Sequence, residues 1–262
     1  MNPALLLFDI DGTLLHTSGA GGKAMRLAAA RLFGERFSFD GINFNGMLDP
    51  DIFAQAAQQS GLDNHHQHHE AFRRAYFDQL KAMLERDAAQ VRAMPGIPPL
   101  LQTLRQRAYE AGDLLLGLLT GNYAHTAPLK LEAARIDPAW FSVTAFGDEG
   151  STRAELVALA MRKYEARIGR LPDRSRVIVI GDTPRDVACA KAHRCVAFAV
   201  ATGSYSVAEL AAAGADVTVP SLADPHPLVR LLAAPQDHRV AAFEAQGRGV
   251  AGDVGSALEN DQ

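Results

Sequence analysis

Short apolar runs bounded by Gly, Asp or Thr recur along the chain, at residues 5–10, 114–119, 143–146, 177–180 and 196–200, with a weaker one at 217–219. They are continuous rather than alternating, and this predicts strands buried on both faces. Helical patterns lie between them. Residues 98–111 carry Leu100, Leu101, Leu104 and Ala108 on one stripe, and 154–168 carry Leu156, Val157, Leu159, Ala160 and Tyr164. Pro184 suits a first helical position, so a helix over 185–192 is expected straight after a strand. Strands alternating with helices predict an α/β fold, a three-layer, doubly wound parallel sheet.

Residues 16–94 break that rhythm. They hold no convincing strand, but alanine-rich amphipathic patterns at 23–33, 50–59 and 70–86. This predicts a small all-helical cap inserted after the first strand, with Pro95-Gly96 marking the return. The expected organisation is a core over 1–15 and 95–232, a cap over 16–94, and a tail over 233–262. The tail is poor in large apolar residues and is expected to be disordered.

Composition narrows the class. Of 262 residues, 48% are apolar and 21% charged, as in an ordinary globular protein. The net charge of −4 offers no basic field for nucleic acid or anionic lipid. Cys189 and Cys195 lack metal-ligand spacing and suit a reducing compartment as free thiols. The apolar stretch near the start is broken by Asp9 and makes a poor signal peptide, and no run reaches membrane-spanning length. A cytoplasmic protein with neither nucleic-acid nor membrane partners is expected. Nothing in the sequence speaks to oligomeric state.

Three of the apolar runs end in polar clusters: Asp9-Ile10-Asp11-Gly12-Thr13, Thr120-Gly121-Asn122, and Gly181-Asp182-Thr183-Pro184-Arg185-Asp186. In a parallel sheet the carboxyl ends of strands share one edge, so these clusters converge. Asp9 and Asp11, two residues apart, start on the same side of the chain. One can attack phosphorus to give an aspartyl-phosphate, and the other can protonate the leaving alcohol and later deprotonate water. Gly12 allows a sharp turn that the Thr13 hydroxyl can brace. Two carboxylates beside a phosphate call for a cation, and Mg2+ fits oxygen ligands, with Asp182 completing the site. Asp186 either supports the metal through water or complements a helix dipole. Thr120, Gly121 and Asn122 offer donors for phosphoryl oxygens.

This set resembles the haloacid dehalogenase superfamily over residues 5–232, in its phosphoglycolate phosphatase-like branch with a helical cap. Residues 9–13, 120–122 and 181–186 look like its first, second and fourth motifs, and 17–22 and 46–50 resemble its hinge and cap loops. The resemblance implies Asp9 as nucleophile and Asp11 as general acid/base. It implies Mg2+ held by Asp9, the Asp11 position (there also through the backbone carbonyl) and Asp182, with a small phosphorylated metabolite as substrate. It implies a phosphatase acting on a phosphoglycolate-like compound or a sugar phosphate. A β-phosphoglucomutase-like phosphotransferase and a non-catalytic phosphometabolite-binding regulator are the alternatives. The family's third-motif lysine is missing from the stretch 146–153. Arg153 is the expected replacement for binding phosphate, ahead of Lys130 and Lys163, which fall in helical patterns.

The remaining features read as structural. His65, His66, His68 and His69 lack a carboxylate or cysteine partner at ligand spacing and are expected to be solvated. Arg26, Arg73 and Arg74 are expected on solvated faces.

Overall fold

The computed structural model describes residues 2–233. In chain order its strands are β1 Ala4–Phe8, β2 Leu15–His16, β3 Arg92–Ala93, β4 Leu114–Leu119, β5 Val143–Ala145, β6 Val177–Gly181, β7 Val196–Val200 and β8 Val217–Val219. The helices are α1 Ala20–Phe33, α2 Asp49–Gln59, α3 His65–Arg86, α4 Ile97–Ala111, α5 Ala127–Ala133, α6 Arg153–Ile168, α7 Pro184–Ala192, α8 Val207–Ala212 and α9 His226–Ala233. The expected tail lies outside the described residues, apart from Ala233 at the end of α9.

Six strands form a parallel sheet in the order β5-β4-β1-β6-β7-β8. Every residue of β1 is buried because helices cover both faces. Ala4, Leu6 and Phe8 share one apolar cluster with Leu100, Leu101 and Leu104 of α4 and Leu131 of α5. Leu5 and Leu7 point the other way, into a cluster with Leu156, Val157 and Tyr164 of α6 and Val187 of α7. Each such leucine contributes about 1.5–3 kcal/mol by leaving water. The chain runs outward from β1 to β5, then returns to β6 on the other side of β1. The reversal places the crevice at the carboxyl ends of β1 and β6. Phe8 is in register with both Leu118 and Ile180, so the residues after β1, β4 and β6 emerge side by side.

The helices α1, α2 and α3 bury their apolar stripes in a third cluster. Ala24 and Ala28 let α1 lie close against Phe72, Tyr76 and Leu80 of α3. Phe53 of α2 stacks on Phe72 at 4.2 Å. Two short strands interrupt the expected all-helical insert: β2 and β3 pair antiparallel where the chain leaves and re-enters the sheet region. Two residues each are too few for a periodic signal, which is why the sequence pattern hides them.

The histidines also depart from expectation. His66 is exposed, but His65 and His68 pack edge-on against Phe53 and Phe33. His69 stacks on Phe53, its Nε2 2.8 Å from the Tyr123 hydroxyl, and burial lowers its pKa. Arg73 is not on a solvated face either. It pairs with Asp148 at 2.8 Å and covers the Tyr123 ring, tying α3 to the loop after β5. Arg26 lies over Phe39 and Phe44. Arg74 does stay exposed, paired with Glu70.

Candidate active site

Asp9 follows β1 directly, and its amide donates to Ile180 O at 2.9 Å, which continues the ladder to β6. Its carboxylate is 5% exposed and lies 3.1 Å from Arg153 Nη2. Burial pushes its pKa up to about 6, with Arg153 opposing and Asp186 and Asp11 adding to the rise. At Gly12 φ is +78°, and a Cβ would collide with Asp182 Oδ2, so the turn after Asp11 needs glycine twice over. The Thr13 hydroxyl does not brace this turn. It donates to Asp182 Oδ1 at 3.1 Å, linking the first cluster to the third.

Asp11 points away from Asp9's metal-facing neighbours. Its Oδ2 accepts from Asn122 Nδ2 at 2.8 Å and from Lys130 Nζ at 2.6 Å. Its Oδ1 has no hydrogen-bond partner among the described residues, and the side chain is 43% exposed to the cavity. Asn122 also donates to Thr120 Oγ1 at 2.8 Å, and its amide oxygen accepts from Lys130. A Cβ on Gly121 would collide with Met47 O of the loop before α2. Bare backbone is therefore required where this loop meets the cap.

Arg153, the first residue of α6, lies between two acids. Its Nε and Nη2 donate to Asp186 Oδ1, at 3.0 and 2.5 Å, while Nη2 also faces Asp9. Burial opposes its charge, but Asp186 and Asp9 hold its pKa above the ordinary value. Asp186 Oδ2 accepts from the Thr183 amide and hydroxyl at 3.0 and 2.7 Å, the capping box of α7. The Asp186 carboxylate is thus committed at both oxygens.

Lys130 is the residue that sequence reasoning ranked too low. It lies on α5, 4% exposed, and reaches the site because the helix packs its long stem beneath Asn122. An apolar-stripe position occupied by lysine was the available signal. Lys163 lies elsewhere, bonded to Thr144 O and Glu149.

Asp9, Asp182 and Asp186 offer carboxylate oxygens within 4.8 Å of one another, all buried. Burial, then Asp9 and Asp186, push the Asp182 pKa up to about 8. Such crowding of hard oxygen donors fits a divalent cation. Asp9 and Asp182 retain unused oxygens for it, with Asp186 behind them. The side chain of Asp11 lies outside this triad. Asp9, Asp11, Asp182, Thr120, Gly121, Asn122, Lys130 and Arg153 all line one cavity of about 450 Å³, roofed by residues of α1, α2 and α3.

Cys189 and Cys195 are free and buried, and burial raises both thiols, so they stay protonated and inert. No helix among the described residues is long and apolar enough to cross a membrane.

Comparison with solved structures finds the same fold. A hydrolase from Pseudomonas syringae superposes with a TM-score of 0.62 at 22% identity, covering 87% of this chain and 98% of its own. CbbY from Rhodobacter sphaeroides, in complex with phosphate, gives 0.61 at 20% identity, covering 85% and 96%. A Haemophilus somnus protein described as a predicted phosphoglycolate phosphatase gives 0.61 at 17%, covering 87% and 99%. No curated protein matches. A family model, haloacid dehalogenase-like hydrolase, matches residues 3–194. The match spans most of the chain and both faces of the cavity, and the chain belongs to the haloacid dehalogenase-like hydrolases.

Proposed function

We propose that the protein is a magnesium-dependent phosphatase that hydrolyses a small phosphomonoester through an aspartyl-phosphate on Asp9. The observation that carries this reading is the division of labour between two carboxylates at one strand end. Asp9 is buried against Arg153, and Asp11 is pinned by one oxygen with the other open to the cavity. Near neutral pH Asp9, with its pKa pushed up to about 6, is largely ionised and ready to attack.

Attack by Asp9 on phosphorus forms the acyl phosphate and breaks the ester bond. The free oxygen of Asp11 gives its proton to the departing alkoxide. In the second half Asp11 takes a proton from water, which attacks the phosphorus and restores Asp9. Thr120 and Asn122, with the Gly121 amide, line the cavity where the phosphoryl oxygens gather. Arg153 keeps Asp9 charged and oriented, and offers its guanidinium to the same oxygens. Asp9 and Asp182, with the main-chain carbonyl of Asp11 and the support of Asp186, would hold Mg2+, which when bound neutralises the charge of carboxylates and phosphoryl group. Residues 16–94 act as a cap, closing over the ester and excluding water from the first step. A mutant of the Rhodobacter neighbour was solved with xylulose 1,5-bisphosphate, so this fold accommodates a phosphorylated sugar in that protein.

The test is phosphate release from a panel of small monoesters, with and without magnesium, beside Asp9→Asn. Magnesium-dependent release that falls by more than about 1,000-fold in the variant is the expected result. Equal release by the variant would contradict the assignment.

A further inference from the structure

One wall of the cavity remains unused by the chemistry above. Tyr76 of α3 is fully buried, lines the cavity, and its hydroxyl has no hydrogen-bond partner. The nearby Thr126 hydroxyl is committed to Tyr123 O at 3.2 Å. A buried, unpaired hydroxyl is costly in a finished protein and marks a place where something else supplies the partner.

The surroundings show what that partner is. Gly21 and Gly22, in the first turn of α1, also line the cavity, and their amides have no acceptor among the described residues. A methyl group built on Gly21 would stand 3.5 Å from Tyr76 Oη and 3.3 Å from Lys130 Nζ, so these groups converge on one spot. Asp49, the first residue of α2, borders the same space. Its Oδ2 accepts from the Tyr123 amide at 3.1 Å, and its Oδ1 has no protein donor among the described residues. Donors and an acceptor thus face one another across a space the width of a small molecule.

Charge narrows the choice. The cavity is lined by four aspartates (Asp9, Asp11, Asp49, Asp182) against Lys130 and Arg153, and both cations are already paired with acids. No lysine or arginine of the helical segment lines it. A second phosphate or a carboxylate on the leaving group would face Asp49 and Asp11 with no cation to spare. A neutral hydroxyl, donating to Asp49 and accepting from Tyr76 or a Gly21 or Gly22 amide, satisfies all of them.

Resting on the phosphatase reading, we propose that Tyr76, Asp49 and the first-turn amides of α1 form a subsite for an uncharged, hydroxyl-bearing leaving alcohol, so that polyol or sugar monophosphates are the substrates. Burial, with Lys130 opposing it, pushes the Asp49 pKa up to about 7, so near neutral pH this carboxyl can both donate to and accept from a hydroxyl.

The experiment compares kcat/KM for four esters with magnesium: glycerol phosphate, ethyl phosphate, phosphoglycolate and fructose 1,6-bisphosphate. Wild type and Tyr76→Phe are measured together, with thermal melting of both. The expected result is a preference for glycerol phosphate of about tenfold or more over each of the other three. Tyr76→Phe should shrink the glycerol-to-ethyl ratio by about tenfold while its Tm stays level or rises, since the change removes an unpaired hydroxyl. Equal use of glycerol and ethyl phosphates, preference for phosphoglycolate or the bisphosphate, or an unaltered ratio in Tyr76→Phe would overturn the subsite while leaving the phosphatase intact. Absence of hydrolysis of every ester, including an activated aryl phosphate, would remove both readings.

Discussion

Asp11 is gripped at Oδ2 by Asn122 and Lys130, which leaves Oδ1 as the oxygen that meets a leaving group. The value of this grip depends on how much protonation the departing alcohol needs. Lys130→Met should therefore lower kcat for an alkyl phosphate by about 100-fold. The burst of alcohol from an activated aryl phosphate should fall by less than about tenfold, because that leaving group departs as the anion. Rapid-quench kinetics on both esters checks this, and equal losses would reduce Lys130 to a structural prop. The identities of Asp9, Asp11 and Asp182 were legible in the sequence because each follows an apolar run. Lys130 was not, since a lysine within a helical stretch looks solvated until the burial of its stem is seen. The Thr13 partner was hidden for a related reason: its contact with Asp182 spans 169 residues of chain.

At the level of elements, strands and long helices followed the sequence pattern to within a few residues. The predicted strand over 114–119 and the observed β4 coincide, whereas the first strand ends at Phe8 and not at residue 10. There the chain turns at Gly12, and apolar character continues past the ladder because Ile10 is buried in the core beneath the turn. The pair β2–β3 and the packing of His65, His68 and His69 on phenylalanines depend on partners brought by tertiary folding, which periodicity does not encode. The contact between the helical segment and the sheet is built on a bare backbone. The Asp49 amide donates to Gly121 O at 2.7 Å, and Gly121 itself abuts Met47 O. Gly121→Ala should push α2 off the second cluster, lowering Tm by on the order of 5 °C and abolishing most activity. Wild-type melting with wild-type kcat/KM in this variant would show that the approach is looser than described.

For the whole molecule, burying acids in one cavity has a cost that depends on pH. Asp9, Asp49 and Asp182 are raised from the ordinary 3.8 to about 6, 7 and 8, in each case chiefly by burial. Groups raised in the folded state bind more protons there than in the unfolded chain, so stability falls as pH rises. Their contribution is complete below about pH 4 and is lost progressively up to about pH 8. The metal-free protein should therefore melt at lower temperature at pH 8 than at pH 5, and Asp182→Asn should flatten that slope. Added magnesium should raise Tm more at pH 8 than at pH 5, because a cation binds the ionised carboxylates. Melting curves across this range, with chelator or magnesium, check the sign. A metal-free protein that gains stability from pH 5 to pH 8 would contradict the carboxylate cluster as described.

The claim on which everything else rests is covalent: phosphate passes through Asp9. The most direct measurement is to mix enzyme with magnesium and a reactive phosphate ester, quench in acid within milliseconds, and locate the phosphate by peptide mass spectrometry. The account predicts phosphate on the peptide containing Asp9, at that residue, and none in Asp9→Asn. Phosphate on another residue, or full turnover without any phosphoenzyme in a reaction shown to burst, would contradict it.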